Sequence, residues 1–434
     1  MAGQRAPKRK AECGPQTDAW HVPRILGVEP TGPRVSARVG EAVALRLELE
    51  PCQRLPARQE WRRLPGPVLS AATTRQDWCR VILYMPCVVR ADGLFRMWYV
   101  GSSDHARSPS YIHLGYAEST DGLRWQEHPH NPLVTDDAIP WGHRFQAPYV
   151  LYDLQDRLYK MWFTAVDQAD TEGAPYLNQR VGYGESPDGL SWTFHPEPVL
   201  RTGRRPCVLK MDDGTYRMWV NAPSREDPGL KMTLNIASFR STDGLHWEPE
   251  GDAVRYGGIY RSCVYPFVMP DGGGLAMWFG GHRDGGYFDI SFGRARDGRT
   301  WYYQNDMPIF PPSPDREAFD ARYTSTPHVV KLPGRYLMYY SARDLDDGWT
   351  APDGSRQRDP DGVYRHIGCA ELPVTEIEDP DQRFSWSADG KAMPGDGGSL
   401  PFVAEAAGRH RVTCRAENAH GSAEYTWDVE VTDG

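Results

Sequence analysis

The sequence predicts an all-β protein: a five-bladed β-propeller, with a split β-sandwich formed by its N- and C-terminal segments. Three observations carry this expectation. A strand pattern returns five times through the middle of the chain, as "FRMWYVG", "YKMWFTA", "YRMWVNA", "LAMWFGG" and "YLMYYSA". Four of these repeats run on into an Asp-Gly-x-x-Trp turn, "TDGLRW", "PDGLSW", "TDGLHW" and "RDGRTW". The two ends of the chain carry strand patterns that look incomplete alone. Units of roughly 60 residues of this kind cannot bury a core singly, so they gain stability by stacking around a common axis.

Taken in order, residues 1–24 read as a disordered tail, basic in "PKRK" but with no apolar run behind the charges to make a secretory signal. Residues 25–55 contribute an alternating strand with Val43, Leu45, Leu47 and Leu49 on one face. Residues 56–379 form the propeller. Each repeat opens on a proline-led strand ("PCVVRADG", "PYVLYD", "PCVLKMDDG", "PFVMPDGGG", "PHVVKLPG") and returns through a third strand after the Met-Trp one. Trp125, Trp192, Trp247 and Trp301 then add apolar area between neighbouring units. The fifth repeat lacks this turn. The upstream segment "EWRRLPGPVL", with Trp61, is expected to supply its outer strand and close the ring, which removes two exposed sheet edges. Residues 380–434, with Trp386 as core tryptophan, resemble the later strands of an immunoglobulin-like or PKD-like sandwich. Joined to residues 25–55 they make about one such domain, with the propeller inserted after its second strand.

Composition excludes several partners. The chain of 434 residues has 49 Lys and Arg against 58 Asp and Glu, a net charge of -9, which argues against nucleic acid or a membrane surface. No apolar run of about 18 residues offers a membrane span. The eight cysteines show no C-x-x-C spacing, so reduced thiols and a cytoplasmic location are expected, with Cys414 unpaired. No Gly-rich phosphate loop or Cys/His cluster appears, so no cofactor and no metal are expected. His128 and His130 fall on an outer strand, away from the axis.

Strand order places the first-strand starts, the loops after "MWY" and the inter-repeat linkers on one face, where function should collect. Every start carries arginine: Arg80, Arg144, Arg204 with Arg205, Arg261 and Arg322. Interleaved are Tyr84, His143, Gln146, Tyr265, Tyr323, Thr324 and Thr326. The loops add Asp104, Asp167, Glu226, Asp227, Asp284 and Asp344, and the first linker adds Asp136, Asp137 and Trp141. Converging guanidiniums repel unless an anion or several carboxylates sit among them, so a cationic ring near the mouth is expected.

The repeat pattern resembles the five-bladed propellers of glycoside hydrolase families 43 and 32. The resemblance runs from about Trp61 to Val374. It implies catalytic aspartates before the first-strand proline of repeats one and two and a glutamic acid before that of repeat three. This chain has Met85, Ala147 and the Arg204–Arg205 pair there, none of which can act as the base or acid of the family.

The reading that follows is a cytoplasmic enzyme on a glycosidase-like scaffold. It acts on a small anionic sugar-like, nucleotide-like or natural-product substrate in an arginine-rich pocket. His143, Tyr84 and Tyr265 would supply acid–base chemistry and the arginines would bind the anion. Two alternatives stand beside it: a glycoside hydrolase using unconventional carboxylates such as Asp137 and Asp167, and a non-catalytic carbohydrate- or anion-binding protein.

Overall fold

The structure is a computed structural model. It describes residues 23–31, 34–91, 93–103, 112–167, 178–223, 235–285, 287–346, 348–350, 354–358, 364–376, 379 and 381–433. The expected tail, apart from its last two residues, lies outside the described residues. The described elements are β-strands and two one-turn 3-10 helices, Asp77–Cys79 and Asp136–Ala138.

Each repeat is an antiparallel run of strands in chain order, and repeats 4 and 5 join in one nine-stranded sheet through a parallel pairing of Phe288 with Tyr323. Repeat 1 comprises Ile82–Ala91, Leu94–Ser102, His113–Ser119 and Gln126–Glu127. Repeat 2 comprises Gly142–Asp153, Leu158–Asp167, Gln179–Ser186 and Thr193–Phe194. Repeat 3 runs through Arg204–Lys210, Tyr216–Ala222, Asn235–Ser241 and Glu248–Val254. Repeat 4 runs through Tyr260–Asp271, Gly274–Arg283, Tyr287–Ala295 and Trp301–Tyr303. Repeat 5 has Tyr323–Leu332, Arg335–Arg343 and His366–Pro373. Its edge comes from the upstream segment, where Arg63 pairs with Ala370 and Leu69 with Ile367.

The Asp-Gly turns explain how the sheets meet. In repeat 1, Asp121 Oδ1 accepts the N–H groups of Leu123 and Arg124, both at 2.8 Å, and Ser119 Oγ accepts that of Gly122. Those backbone donors hold the Asp121 carboxyl below the usual carboxylate range. The Trp125 indole N–H donates to Gly122 O, and the same set recurs at Asp188 and Asp243. Gly189 has φ 77°, and a Cβ there would lie 2.8 Å from the Trp98 ring, so glycine is required twice over.

The glycine carbonyl is shared with the neighbouring repeat. Trp98 donates to Gly189 O at 2.8 Å, Trp162 to Gly244 O at 2.9 Å, and the Tyr339 hydroxyl to Gly122 O at 2.7 Å. Where repeat 5 lacks the turn, Gln59 takes the carbonyl's place: its Oε1 accepts from Trp278 at 3.0 Å and from Trp61 at 2.9 Å. Ring pairs meet edge-on at each step: Trp98–Trp192, Trp162–Trp247, Trp219–Trp301, Trp278–Trp61 and Tyr339–Trp125. Their centroids lie 5.7 to 6.4 Å apart. The contacts run in a cycle that returns from repeat 5 to repeat 1.

The chain ends form two further sheets. One holds Ile25–Glu29, Ala42–Leu49 and Ser399–Val403; the other holds Val35–Arg38, Gly421–Thr432, Gly408–Asn418, Arg383–Ala388 and Lys391–Met393. Leu45 and Leu47 are buried with Trp386, which stacks on Trp427 at 5.6 Å. The N-terminal segment gives three strands where two were expected, because Pro30, which lacks a backbone donor, ends the first of them early. The repeats therefore start after the third strand. A buried ion pair, Lys331 to Glu50 at 2.7 Å, ties this part to repeat 5. All seven described cysteines are free thiols, Cys414 among them.

Candidate functional site

The residue before the first-strand proline has the same unusual backbone in every repeat. Met85, Ala147, Arg205, Tyr265 and Thr326 have φ of 55°, 45°, 58°, 55° and 48°, in the left-handed region. Each sits where the register between the first and second strands shifts. The proline has no N–H for the ladder, so the strand bulges and turns the preceding side chain toward the axis. Left-handed geometry costs a non-glycine residue about 1–2 kcal/mol, a strain repeated five times at one place.

Side chains of the neighbouring repeat hold three of these bulges. The residue two after the Met-Trp tryptophan accepts the bulge N–H of the next repeat. Thr164 Oγ1 accepts from Arg205 at 2.7 Å, Asn221 Oδ1 from Tyr265 at 3.1 Å and Ser341 Oγ from Met85 at 2.8 Å. The equivalent positions Val100 and Gly280 have no side-chain acceptor, and Ala147 N–H meets Met85 Sδ at 3.2 Å instead.

The five bulges line one axial cavity of ≈ 40 Å³, together with their prolines, Tyr149, Phe267 and His328. That is room for roughly three waters. No Asp or Glu lines it among the described residues. Burial against Phe267, 4.4 Å away, lowers the His328 pKa to about 4. The ring is therefore neutral near pH 7, with Nε2–H donating to Val88 O at 2.8 Å. Arg205 is left as the one charged side chain of the lining. Its Cζ lies 3.9 Å from the Tyr265 ring centroid, and its Nε is buried without a hydrogen-bond acceptor among the described residues. Beside it, Tyr364 is stacked between Tyr84, at 5.4 Å, and Tyr323, at 5.5 Å. Burial pushes the Tyr364 phenol well up despite the nearby Arg205 and Arg343 cations.

The other expected residues lie away from this lining. Arg80 is exposed and pairs with Asp77 at 3.2 Å, and Arg261, also exposed, pairs with Asp284 at 2.7 Å. Arg204 donates to Gln179 Oε1 at 2.9 Å, and Arg322 lies 5.8 Å from the Tyr323 ring. His143 and Arg144 stand at the start of the repeat 2 first strand, near the buried Gln146, with Trp141 stacked on Phe163 at 6.3 Å. Asp167 is buried and sits 3.7 Å from both Arg180 and Arg201. Asp137 is exposed and accepts from the Thr135 hydroxyl. Asp104, Glu226 and Asp227 lie outside the described residues.

The expected convergence of cations thus reduces, among the described residues, to Arg205. Only the pre-proline position is turned inward by the bulge; arginines one to five residues earlier lie on the strand's approach. Sequence reasoning missed His328, Ser341 and Tyr364. The first two stood at fixed offsets from repeat landmarks, whereas Tyr364 belongs to a stretch of repeat 5 with no counterpart elsewhere.

A serine–histidine–aspartate chain also occurs in repeat 5. The Ser70 hydroxyl lies 2.9 Å from His366 Nδ1, and His366 Nε2 lies 3.1 Å from Asp344, which Arg365 holds at 2.8 Å. Ser70 is only 4% exposed and His366 6%. The chain ties the closing segment to the third strand rather than presenting a nucleophile.

No protein-family model matches the chain. An uncharacterised protein of Mycobacterium tuberculosis, Rv1502, is 30% identical over 302 residues, spanning 65% of this chain and 94% of that protein. The chain belongs to the family of that protein. Among solved structures, an N-acetylgalactosamine deacetylase from F. plautii in complex with blood group B trisaccharide matches with a TM-score of 0.53. It is 17% identical, over 72% of this chain and 95% of that one. A glycosyl hydrolase from Bacteroides ovatus matches at 0.51 with 16% identity, over 75% and 98%. A member of the GH130 family, described with mannoside phosphorylases and hydrolases of β-1,2 mannosidic linkages, also matches at 0.51 and 16%, over 75% and 99%. At such identities they show the fold: an all-β, glycoside-hydrolase-like propeller scaffold.

Proposed function

We propose that this protein takes a small anionic, sugar-like ligand at the axial opening and acts on it by acid–base chemistry, without a catalytic carboxylate pair. One observation carries the reading: the axial cavity is lined by Arg205 and by no Asp or Glu among the described residues. Hydrolysis by a carboxylate pair needs two carboxyl groups roughly 5–10 Å apart across the bond. Asp167 is engaged by two arginines and Asp137 is on the surface, so neither supports that alternative. Tyr265, in contact with Arg205, is the nearest acid–base group, with His143 further out on repeat 2.

The same reading takes the five repeats as the blades of one closed ring, supported by the cyclic tryptophan contacts. It takes the chain ends as an immunoglobulin-like sandwich split by that ring, supported by their two-sheet pairing. The free thiols support a cytoplasmic setting.

The test is thermal unfolding of wild type and Arg205→Ala with glucuronate, glucose 6-phosphate and glucose. At least one of the two anions should raise the wild-type Tm, while glucose should not. Arg205→Ala should weaken anion binding roughly tenfold to a hundredfold, the worth of about 1.5–3 kcal/mol for charge-assisted contacts. A wild-type Tm indifferent to both anions sinks the proposal, and turnover of neutral aryl glycosides would favour the paired-carboxylate alternative.

A further inference from the structure

We infer that the group recognised in the axial cavity is a carboxylate carried on an apolar carbon, not a phosphate; this rests on the anionic-ligand reading above. The five inward residues divide into two sides. Repeats 1 and 2 present Met85 and Ala147, both apolar, while repeats 3, 4 and 5 present Arg205, Tyr265 and Thr326. Beyond one guanidinium the polar side offers neutral hydroxyls, that of Tyr265 among them, which add no charge. The Thr326 hydroxyl is bonded to that of Ser341, which also accepts the Met85 N–H. The His328 N–H is spent on Val88 O, and the ring is neutral.

The guanidinium is laid over the face of Tyr265, and its buried Nε lacks an acceptor among the described residues. A planar fork of that kind matches the two oxygens of one carboxylate in charge and in geometry. A phosphate monoester carries about -1.5 to -2 at neutral pH and three acceptor oxygens. Against this lining about a third to a half of its charge would be uncompensated, and at least one oxygen would face Met85 or Ala147 without a donor. The ≈ 40 Å³ of space suits a carboxylate head with its first carbon, leaving the rest of the ligand outside.

Isothermal titration at constant ionic strength tests this with two matched pairs: propionate against inorganic phosphate, and glucuronate against glucose 6-phosphate. The carboxylate of each pair should bind at least about tenfold more tightly, and Arg205→Ala should abolish the difference. Met85→Lys, which puts a second cation on the apolar side, should strengthen phosphate binding and narrow the ratio; Ala147→Lys is the parallel variant if that one fails to fold. Phosphates binding as tightly as carboxylates, with Arg205→Ala weakening both, would overturn the carboxylate assignment and leave the anionic-ligand reading standing. Binding of none of the four anions by wild type would overturn both.

Discussion

At the scale of single residues, five side chains share one strained backbone and differ only in chemistry. The fold carries the strain, and the residue placed there sets the chemistry of the cavity lining. A glycosidase of the resembled type would put acids at Met85, Ala147 and Arg205; here the same geometry delivers a thioether, a methyl and a guanidinium. His328, beneath them, gives a pH dependence with a fixed sign. Its folded pKa of about 4 lies below the ~6.5 of an unfolded histidine, so the unfolded chain binds the proton first. Its contribution is complete above about pH 6.5, is lost as pH falls toward 4, and levels off below. At ~1.4 kcal/mol per unit the total reaches ~3 kcal/mol. Urea unfolding of wild type and His328→Gln, which keeps an N–H for Val88 O, should show a smaller decline between pH 7 and pH 4.5 in the variant. Equal declines would contradict the assignment. Arg205 was legible as a candidate because it precedes a repeat-defining proline. Arg80 and Arg261 were misleading for the same reason of position: they stand near that landmark in sequence, but the bulge does not turn them inward.

At the scale of elements, the outer edge of repeat 5 rests on two short pieces of strand and on side chains that imitate a missing turn. Gln59 and Trp61 reproduce what Gly298 and Trp301 do in repeat 4, with an indole N–H bonded to a local oxygen in each. Trp61→Ala should therefore cost as much stability as Trp301→Ala, about 3–5 kcal/mol each, because both remove a buried indole between neighbouring sheets. Denaturant titration compares them directly. A Trp61→Ala loss below about 1 kcal/mol would mean that the upstream segment does not close the ring. The Asp-Gly-x-x-Trp turns were readable because their hydrogen bonds span three residues and so leave a local signature. The three N-terminal strands were harder to separate, since only Pro30 marks the first boundary. Tyr364 was illegible: its place between Tyr84 and Tyr323 is created by tertiary contact, with Leu83 N–H donating to Tyr364 O at 2.9 Å.

At the scale of the whole molecule, a chain with a net charge of -9 places a cation in the lining of its axial cavity. The sheets of the chain ends are tied to the repeats through Lys331–Glu50 and through Arg24, which bonds Asp212 at 2.8 Å. These contacts leave the axial lining untouched, so the scaffold and the site are separable by mutation. The repeated antiparallel strands followed from a pattern that the chain states five times; the emptiness of the expected cationic ring did not, because which arginine faces the axis depends on one dihedral angle per repeat. The most direct measurement of the central claim is a crystal structure of the protein grown with glucuronate. The account predicts both carboxylate oxygens within hydrogen-bonding distance of the Arg205 guanidinium, with the sugar ring directed out of the cavity. A vacant axial cavity, with glucuronate bound instead at Arg204 or Arg144 or nowhere, would contradict it.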